Sequence, residues 1–156
     1  MNILGIDWGE HDSAASLVGK TDYARDALYP SWVKETFDIG GTGFGLYKCN
    51  FFDYRMETSN GFAMPKDIGG FSPLRAQFWA DPASDKSGNA VQAIADAGWS
   101  RTYNPRGADI LGFLNVSAYH VGIVAADGQH FYNPARDMVR LTNLPTNGTY
   151  WTYTGK

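Results

Sequence analysis

The chain has 156 residues, of which 44% are hydrophobic and 15% aromatic, with 18 glycines and a formal net charge of −3. That is enough apolar material for one domain with a real core, here expected to span residues 1–156, and the glycine and aromatic content favours an α+β or β-rich domain over a helical bundle. The acidic balance and the lack of any Lys/Arg run exclude a protein that grips nucleic-acid phosphates, and no apolar stretch is long enough to enter a bilayer as a spanning helix.

The opening, Met1-Asn-Ile-Leu-Gly-Ile-Asp7, places an acid where a signal peptide needs a basic start and a longer apolar run. Synthesis in the cytoplasm is expected, with any export by a route that needs no cleaved signal. Taken alone, residues 3–9 are similar to the first strand of an RNase H-like nuclease or an actin-like ATPase, where a strand aspartate holds a metal or phosphate. Such a nuclease needs further acids converging on two metals, and the later chain offers no second strand with an isolated inward acid. Asp7 and His11 are therefore read as a loop or short edge element. A metal-dependent fold built on Asp7 stays as the alternative.

Residues 21–37 carry Tyr23, Ala27, Trp32, Val33 and Phe37 in a broken helical pattern, with Pro30 as punctuation, and predict two short helices. Then come four glycines within residues 40–45, which no regular element tolerates. Beyond them Cys49, Phe52 and Met56 fall at i, i+3 and i+7, the spacing of one buried helix face, so Cys49 opens a helix. This helix is expected to stop at Asn60-Gly61. Residues 65–82 read as irregular, with Phe71, Leu74, Phe78 and Trp79 buried, a candidate wall for an active site. Residues 87–98 predict a helix with a Ser or Asn cap, a Gly98 stop and an apolar face of Val91, Ile94 and Ala95.

From residue 109 the period becomes that of strands: 109–114, 118–125, 129–133, 138–141 and 149–153, with Asp127-Gly128 marking a hairpin. Helices come first and an antiparallel sheet follows.

Cys49 is the only cysteine, so an internal disulfide and a multi-cysteine zinc site are both excluded. At a helix start, unpaired backbone N–H groups and the macrodipole favour a thiolate, which makes Cys49 a candidate nucleophile active at neutral pH. A cysteine nucleophile needs a base, and His120, opening a strand about seventy residues later, supplies a side chain suited to taking and returning a proton. A third group should orient the imidazole. With Asp127-Gly128 as a two-residue turn, Gly122 lies opposite Asn133, and alternation puts His120 and Asn133 on one face as diagonal neighbours. One residue of slip would substitute Tyr132, and Asp137 is a weaker candidate. His130 falls on the face away from His120 and reads as a solvated strand residue.

Lys48-Cys-Asn-Phe-Phe52, Gly98-Trp99, Pro105-Arg-Gly-Ala-Asp-Ile-Leu-Gly-Phe113, and His120-Val-Gly-Ile-Val124 with its Asp-Gly hairpin together resemble the NlpC and CHAP-type papain-like cysteine peptidases. The resemblance covers residues 40–135, and the His-Val-Gly-Ile hairpin is its most specific part. It implies an α+β, papain-like fold, N-terminal helices packed on a C-terminal antiparallel sheet, with Cys49 as nucleophile and His120 as base. Two features depart from the pattern. The family's Pro-Gly-Asp element appears as Pro105-Arg-Gly-Ala-Asp109, and the family's third polar residue falls where this chain has Tyr132, which leaves the orienter open between Asn133 and Tyr132.

The family cuts amide bonds in peptidoglycan, so the resemblance implies a thioester acyl-enzyme mechanism with no cofactor and no metal. It further implies peptidoglycan stem peptides as substrate, action in the periplasm or on the cell wall, and a role similar to the antibacterial amidase effectors of type VI secretion or to a phage lysis enzyme, with a cognate immunity protein as a potential partner. Tyr47 is a candidate oxyanion donor, and Trp79, Trp99 and Tyr103 are candidate groove aromatics. The remaining alternative is a non-catalytic binding domain of the same fold, in which Cys49 is buried and inert.

Overall fold

The computed structural model describes residues 2–3, 6–7, 14–37, 39–67 and 69–155, the first two pairs through their backbone pairing only. It is an α+β architecture in which four short helices lie on one face of a six-stranded antiparallel sheet. The strands in chain order are β1 (Asn2–Ile3), β2 (Ile6–Asp7), β3 (Trp99–Thr102), β4 (Ile110–Asn115), β5 (Ala118–Val124), β6 (His130–Pro134), β7 (Val139–Asn143) and β8 (Thr149–Tyr153). The helices are α1 (Ser31–Thr36), α2 (Cys49–Ser59), α3 (Ala76–Ala80) and α4 (Asn89–Ala97). The large sheet runs β3-β8-β4-β5-β6-β7, while β1 and β2 form a separate two-stranded hairpin pairing Asn2 with Asp7. Asp7 therefore sits on a short element outside the main sheet, as expected; His11 lies outside the described residues.

Helix α2 is the element that orders the rest. Its start follows a glycine-rich loop in which Gly41, Gly43 and Gly45 all hold positive φ. Lys48, at the cap position, is buried and donates from Nζ to the carbonyl oxygens of Ala24, Arg25 and Leu46, at 2.9, 3.3 and 2.8 Å. Those three bonds pin the loop to the helix start. At the far end Gly61 N–H reaches Thr58 O and Phe62 N–H reaches Glu57 O, the paired bonds of a left-handed glycine stop, with Gly61 at φ 88°. The Asn60-Gly61 signal thus ends the helix where its chemistry dictates.

Two helical expectations are corrected. Residues 21–30 form turns instead of a helix, because their backbone is bonded elsewhere: Arg25 N–H to Arg136 O, Tyr29 N–H to Thr42 O, and the Ala24 and Arg25 carbonyls to Lys48. Only α1, beginning just after Pro30, is helical. On α4 the buried residues are Ala90, Ile94 and Ala97, while Val91 and Ala95 face solvent. The cap position of α4 is Gly88, and its first N–H groups are taken up by two side chains before it: Ser87 Oγ accepts from Asn89 N–H at 3.3 Å, and Asp85 Oδ2 accepts from Ala90 N–H at 2.8 Å. Residues 65–82 are not wholly irregular, since α3 lies among them, and Phe71 is exposed.

The five expected strands are present, and β3 is an addition: Trp99–Thr102 pairs with β8, from Trp99↔Tyr153 to Thr102↔Tyr150. Packing divides by face. Ile110, Val121, Ile123 and Trp151 face the helices with Cys49, Phe52, Met56 and Trp79, whereas Leu111, Phe113, Val124 and Phe131 form a smaller cluster on the other side. Gly112 permits this stacking, because a Cβ there would stand 2.5 Å from the Ala80 nitrogen and the Trp79 carbonyl carbon of α3.

Candidate active site

The β5–β6 hairpin sets the geometry. Its register is Ile123↔Tyr132 and Val124↔Phe131, which carries Gly122 opposite Asn133, as the sequence predicts. The loop itself is wider than a two-residue turn. Ala125 N–H bonds His130 O, Gly128 N–H returns to Ala125 O, and Asp127 Oδ1 accepts from the Gln129 and His130 N–H groups. Register survives because both loops share the same centre. Asp127 Oδ2 also meets His130 Nδ1 at 2.6 Å on the surface, so His130, the first residue of β6, is a solvated strand residue tied to the turn.

On the face away from the helices, His120 and Asn133 are diagonal neighbours and bond to each other, imidazole Nε2 to amide Oδ1. An amide oxygen only accepts, so Nε2 carries the ring proton and Nδ1 keeps its lone pair. Asn133 Nδ2 points to Thr142 Oγ1 on β7 at 3.5 Å, and the Phe113 ring meets the imidazole edge-on at 5.6 Å between centroids. Burial holds His120 below the ordinary histidine range, only partly offset by the Asn133 bond, which favours the neutral base.

Of the other orienter candidates, Tyr132 points to the helix side and packs against that core, and Asp137 is held on the surface by Arg140. Neither contacts His120. Register thereby selects Asn133.

Cys49 comes to β5 from the helix side. Val124 N–H bonds Asp109 O on the β4 side, so alternation along β5 turns Val121 N–H to the opposite edge, where β6 pairs only from Ile123 onward. The sulfur lies against that gap, where the N–H dipoles of Val121, Asn50 and Cys49 itself all act to lower the thiol. The thiol thus meets β5 at the residue that follows His120 but from the opposite face, and no hydrogen bond joins the Cys49 and His120 side chains.

These three N–H groups favour a thiolate, but burial dominates and pushes the thiol up to about 11. The expectation of a thiol ionised at neutral pH is corrected accordingly. Cys49 is 4% exposed.

On the His120 side a cavity of about 250 Å³ opens to the surface, lined by Tyr47, Val116, Tyr119, His120, Asn133 and Arg136 among others, with Cys49 not among its lining residues. Tyr47, two residues before the thiol, is 53% exposed and lines this cavity. Trp79 and Trp99 do not. Both are buried in the helix-side core, where Trp79 O accepts from Trp151 Nε1 and Trp99 Nε1 donates to Ala63 O, each at 2.8 Å. Tyr103 is 86% exposed and not part of the cavity lining.

The sequence reading missed the inward acids of α2. Asp53 and Glu57 lie at i+4 and i+8 from Cys49, both buried, and Asp109 is buried nearby. The helical spacing from Cys49 was the available signal. Among the described residues no group of three or more His, Cys, Asp and Glu side chains is arranged to hold a metal ion.

Comparison with known proteins finds no matching family model, no matching curated protein and no matching solved structure.

Proposed function

We propose that this chain is a cysteine amidase of the papain-like NlpC/CHAP type that hydrolyses amide bonds in peptidoglycan stem peptides. The observation that carries the chemistry is the His120–Asn133 hydrogen bond: it fixes the proton on Nε2 and leaves Nδ1 as a base, one residue along β5 from Val121, which packs in the same core cluster as Cys49. The peptidoglycan substrate rests on the sequence resemblance. The open cavity beside Tyr47 and His120 is compatible with an extended polymer as substrate.

In this mechanism His120 Nδ1 takes the Cys49 proton as the sulfur attacks the amide carbonyl, forming the C–S bond and a tetrahedral oxyanion. The Cys49 backbone N–H stabilises that oxyanion, with Tyr47 at the cavity mouth as a further donor. The imidazolium returns its proton to the leaving nitrogen as the C–N bond breaks. His120 then takes a proton from water, which attacks the thioester and releases the acid, and the sulfur recovers its proton. Because burial keeps the resting thiol protonated, transfer to His120 and attack are linked. Asn133 holds the imidazole in the required tautomer throughout.

Such an enzyme acts as an exported antibacterial effector or lytic enzyme in the periplasm or on the cell wall, with an immunity protein protecting the producing cell. One observation favours a second reading, a non-catalytic binding domain: the burial of Cys49 and its raised thiol. Digestion of purified peptidoglycan by the wild type and by Cys49→Ala, with and without EDTA, separates the readings by mass spectrometry of the released fragments. Cleavage that resists EDTA and disappears in Cys49→Ala supports the amidase. Fragment release by neither protein favours the binding domain, and EDTA-sensitive release that survives Cys49→Ala points to metal chemistry elsewhere in the chain.

A further inference from the structure

The inner face of α2 carries three ionisable groups in one file, Cys49, Asp53 and Glu57, one helical turn apart and each no more than 4% exposed. Both carboxylate oxygens of Asp53 and Oε2 of Glu57 are buried without a hydrogen-bond partner. A buried carboxylate in that condition is very costly, whereas a buried carboxylic acid is not. The usual remedy, a paired cation, is not provided: the buried charged residues among those described are Lys48, Asp53, Glu57 and Asp109, and Lys48 directs its ammonium to three backbone carbonyls.

We propose that Asp53 is a positioning residue for Cys49 that works as a neutral carboxylic acid, permitting negative charge on the sulfur while protonated and suppressing it once ionised. This rests on the reading of Cys49 as the nucleophile and concerns how that same site is regulated. Two like charges one helical turn apart in a dry core exclude each other, so the file accepts one negative charge at a time. Catalysis requires that charge on sulfur. Asp53 faces Cys49 above and Glu57 below on its own helix. Asp109, just before β4, acts through Glu57, and His120 precedes Val121 on β5 but turns its side chain to the opposite face. Each acid in the file is coupled to the next, and burial raises Asp53 and Glu57 well above the ordinary carboxylate range, in keeping with neutral acids. The consequence is an alkaline limit on the reactivity of the thiol that belongs to Asp53.

The test is the rate at which Cys49, the only cysteine, is alkylated by iodoacetamide, read by intact mass across pH in wild type, Asp53→Asn and Glu57→Gln. Asparagine keeps the shape of aspartic acid and never ionises. Toward the acid end of the profile, where Asp53 is neutral, Asp53→Asn should react within about twofold of wild type; toward the alkaline end it should react on the order of tenfold faster, the ratio set by a lost like charge. Glu57→Gln, one turn further from the sulfur, should show the same trend with a smaller rise. Identical pH profiles for wild type and Asp53→Asn would overturn the role of Asp53 while leaving a reactive thiol and the proposed amidase standing. A thiol unreactive in every variant would overturn both. Should Asp53→Asn fail to fold by circular dichroism, Asp53→Ala removes the same charge and carries the same expectation.

Discussion

His120 and Asn133 are joined through their side chains although their backbones are not paired, because the β5–β6 register ends at Ile123↔Tyr132 and the two residues meet diagonally beyond it. That single bond assigns the proton to Nε2 and frees Nδ1. It also separates Asn133 from its neighbour Tyr132, which the same register turns to the helix side.

Removing the amide should therefore uncouple the imidazole from its orienter without dismantling the fold. Asn133→Ala is expected to lower kcat on peptidoglycan by about tenfold or more, the effect of one lost hydrogen bond on a catalytic base, with little change in KM. The accompanying loss of stability should be about 1 kcal/mol in urea unfolding. An unchanged kcat would show that Asn133 does not orient His120.

The acid side of the profile follows from the burial of His120, whose folded value lies below the ordinary histidine range. A group depressed in this way contributes stability above its unfolded value of about 6.5 and loses it as pH falls through the folded value, because the unfolded chain takes the proton first. Nuclear magnetic resonance titration of the His120 Cε1–H should give a midpoint below that of a model histidine. A midpoint at or above it would contradict a buried neutral base.

Glu57 carries the opposite sign. Burial first, then Asp53 and Asp109, raise its folded value, so its contribution is intact below about 4.3 and is lost as pH rises above that value. Glu57→Gln should raise the thermal midpoint at about pH 8 and leave it nearly unchanged at about pH 4, as differential scanning calorimetry would show. An equal loss at both pH values would mean that the amide fits the core poorly and that charge is not the controlling factor.

Gly122 is where the hairpin tolerates least. A Cβ there would stand 2.6 Å from the Phe131 ring and 2.7 Å from the Tyr132 carbonyl oxygen, so β6 must shift to accept it. Gly122→Ala is expected to cost about 1–3 kcal/mol in urea unfolding and to displace Asn133 from His120. Wild-type stability and activity in this variant would contradict the close approach of the two strands.

The residues that announced the fold in the sequence are those whose local chemistry and tertiary role agree. Asn60-Gly61 stops α2, Asp127-Gly128 centres the hairpin, and period-two patterning marks five strands of the main sheet, which together bring Asn133 to His120. The pattern failed where tertiary bonds override it. Residues 21–30 give their backbone to Lys48, Thr42 and Arg136 instead of to a helix, and β3 is too short to show a period without its partner β8. Trp79 and Trp99 read as groove aromatics because a large ring suits a groove or a core equally well, and only packing decides. Asp53 and Glu57 escaped notice because an acid on a helix is expected to face water.

The most direct test of the account concerns whether Cys49 and His120 work as a unit. The second-order rate of Cys49 alkylation at neutral pH should fall on the order of tenfold or more from wild type to His120→Ala, since the buried thiol would lose the base that takes its proton. An equal rate in the two proteins would mean that the thiol ionises without His120, and the proposed pair would not stand.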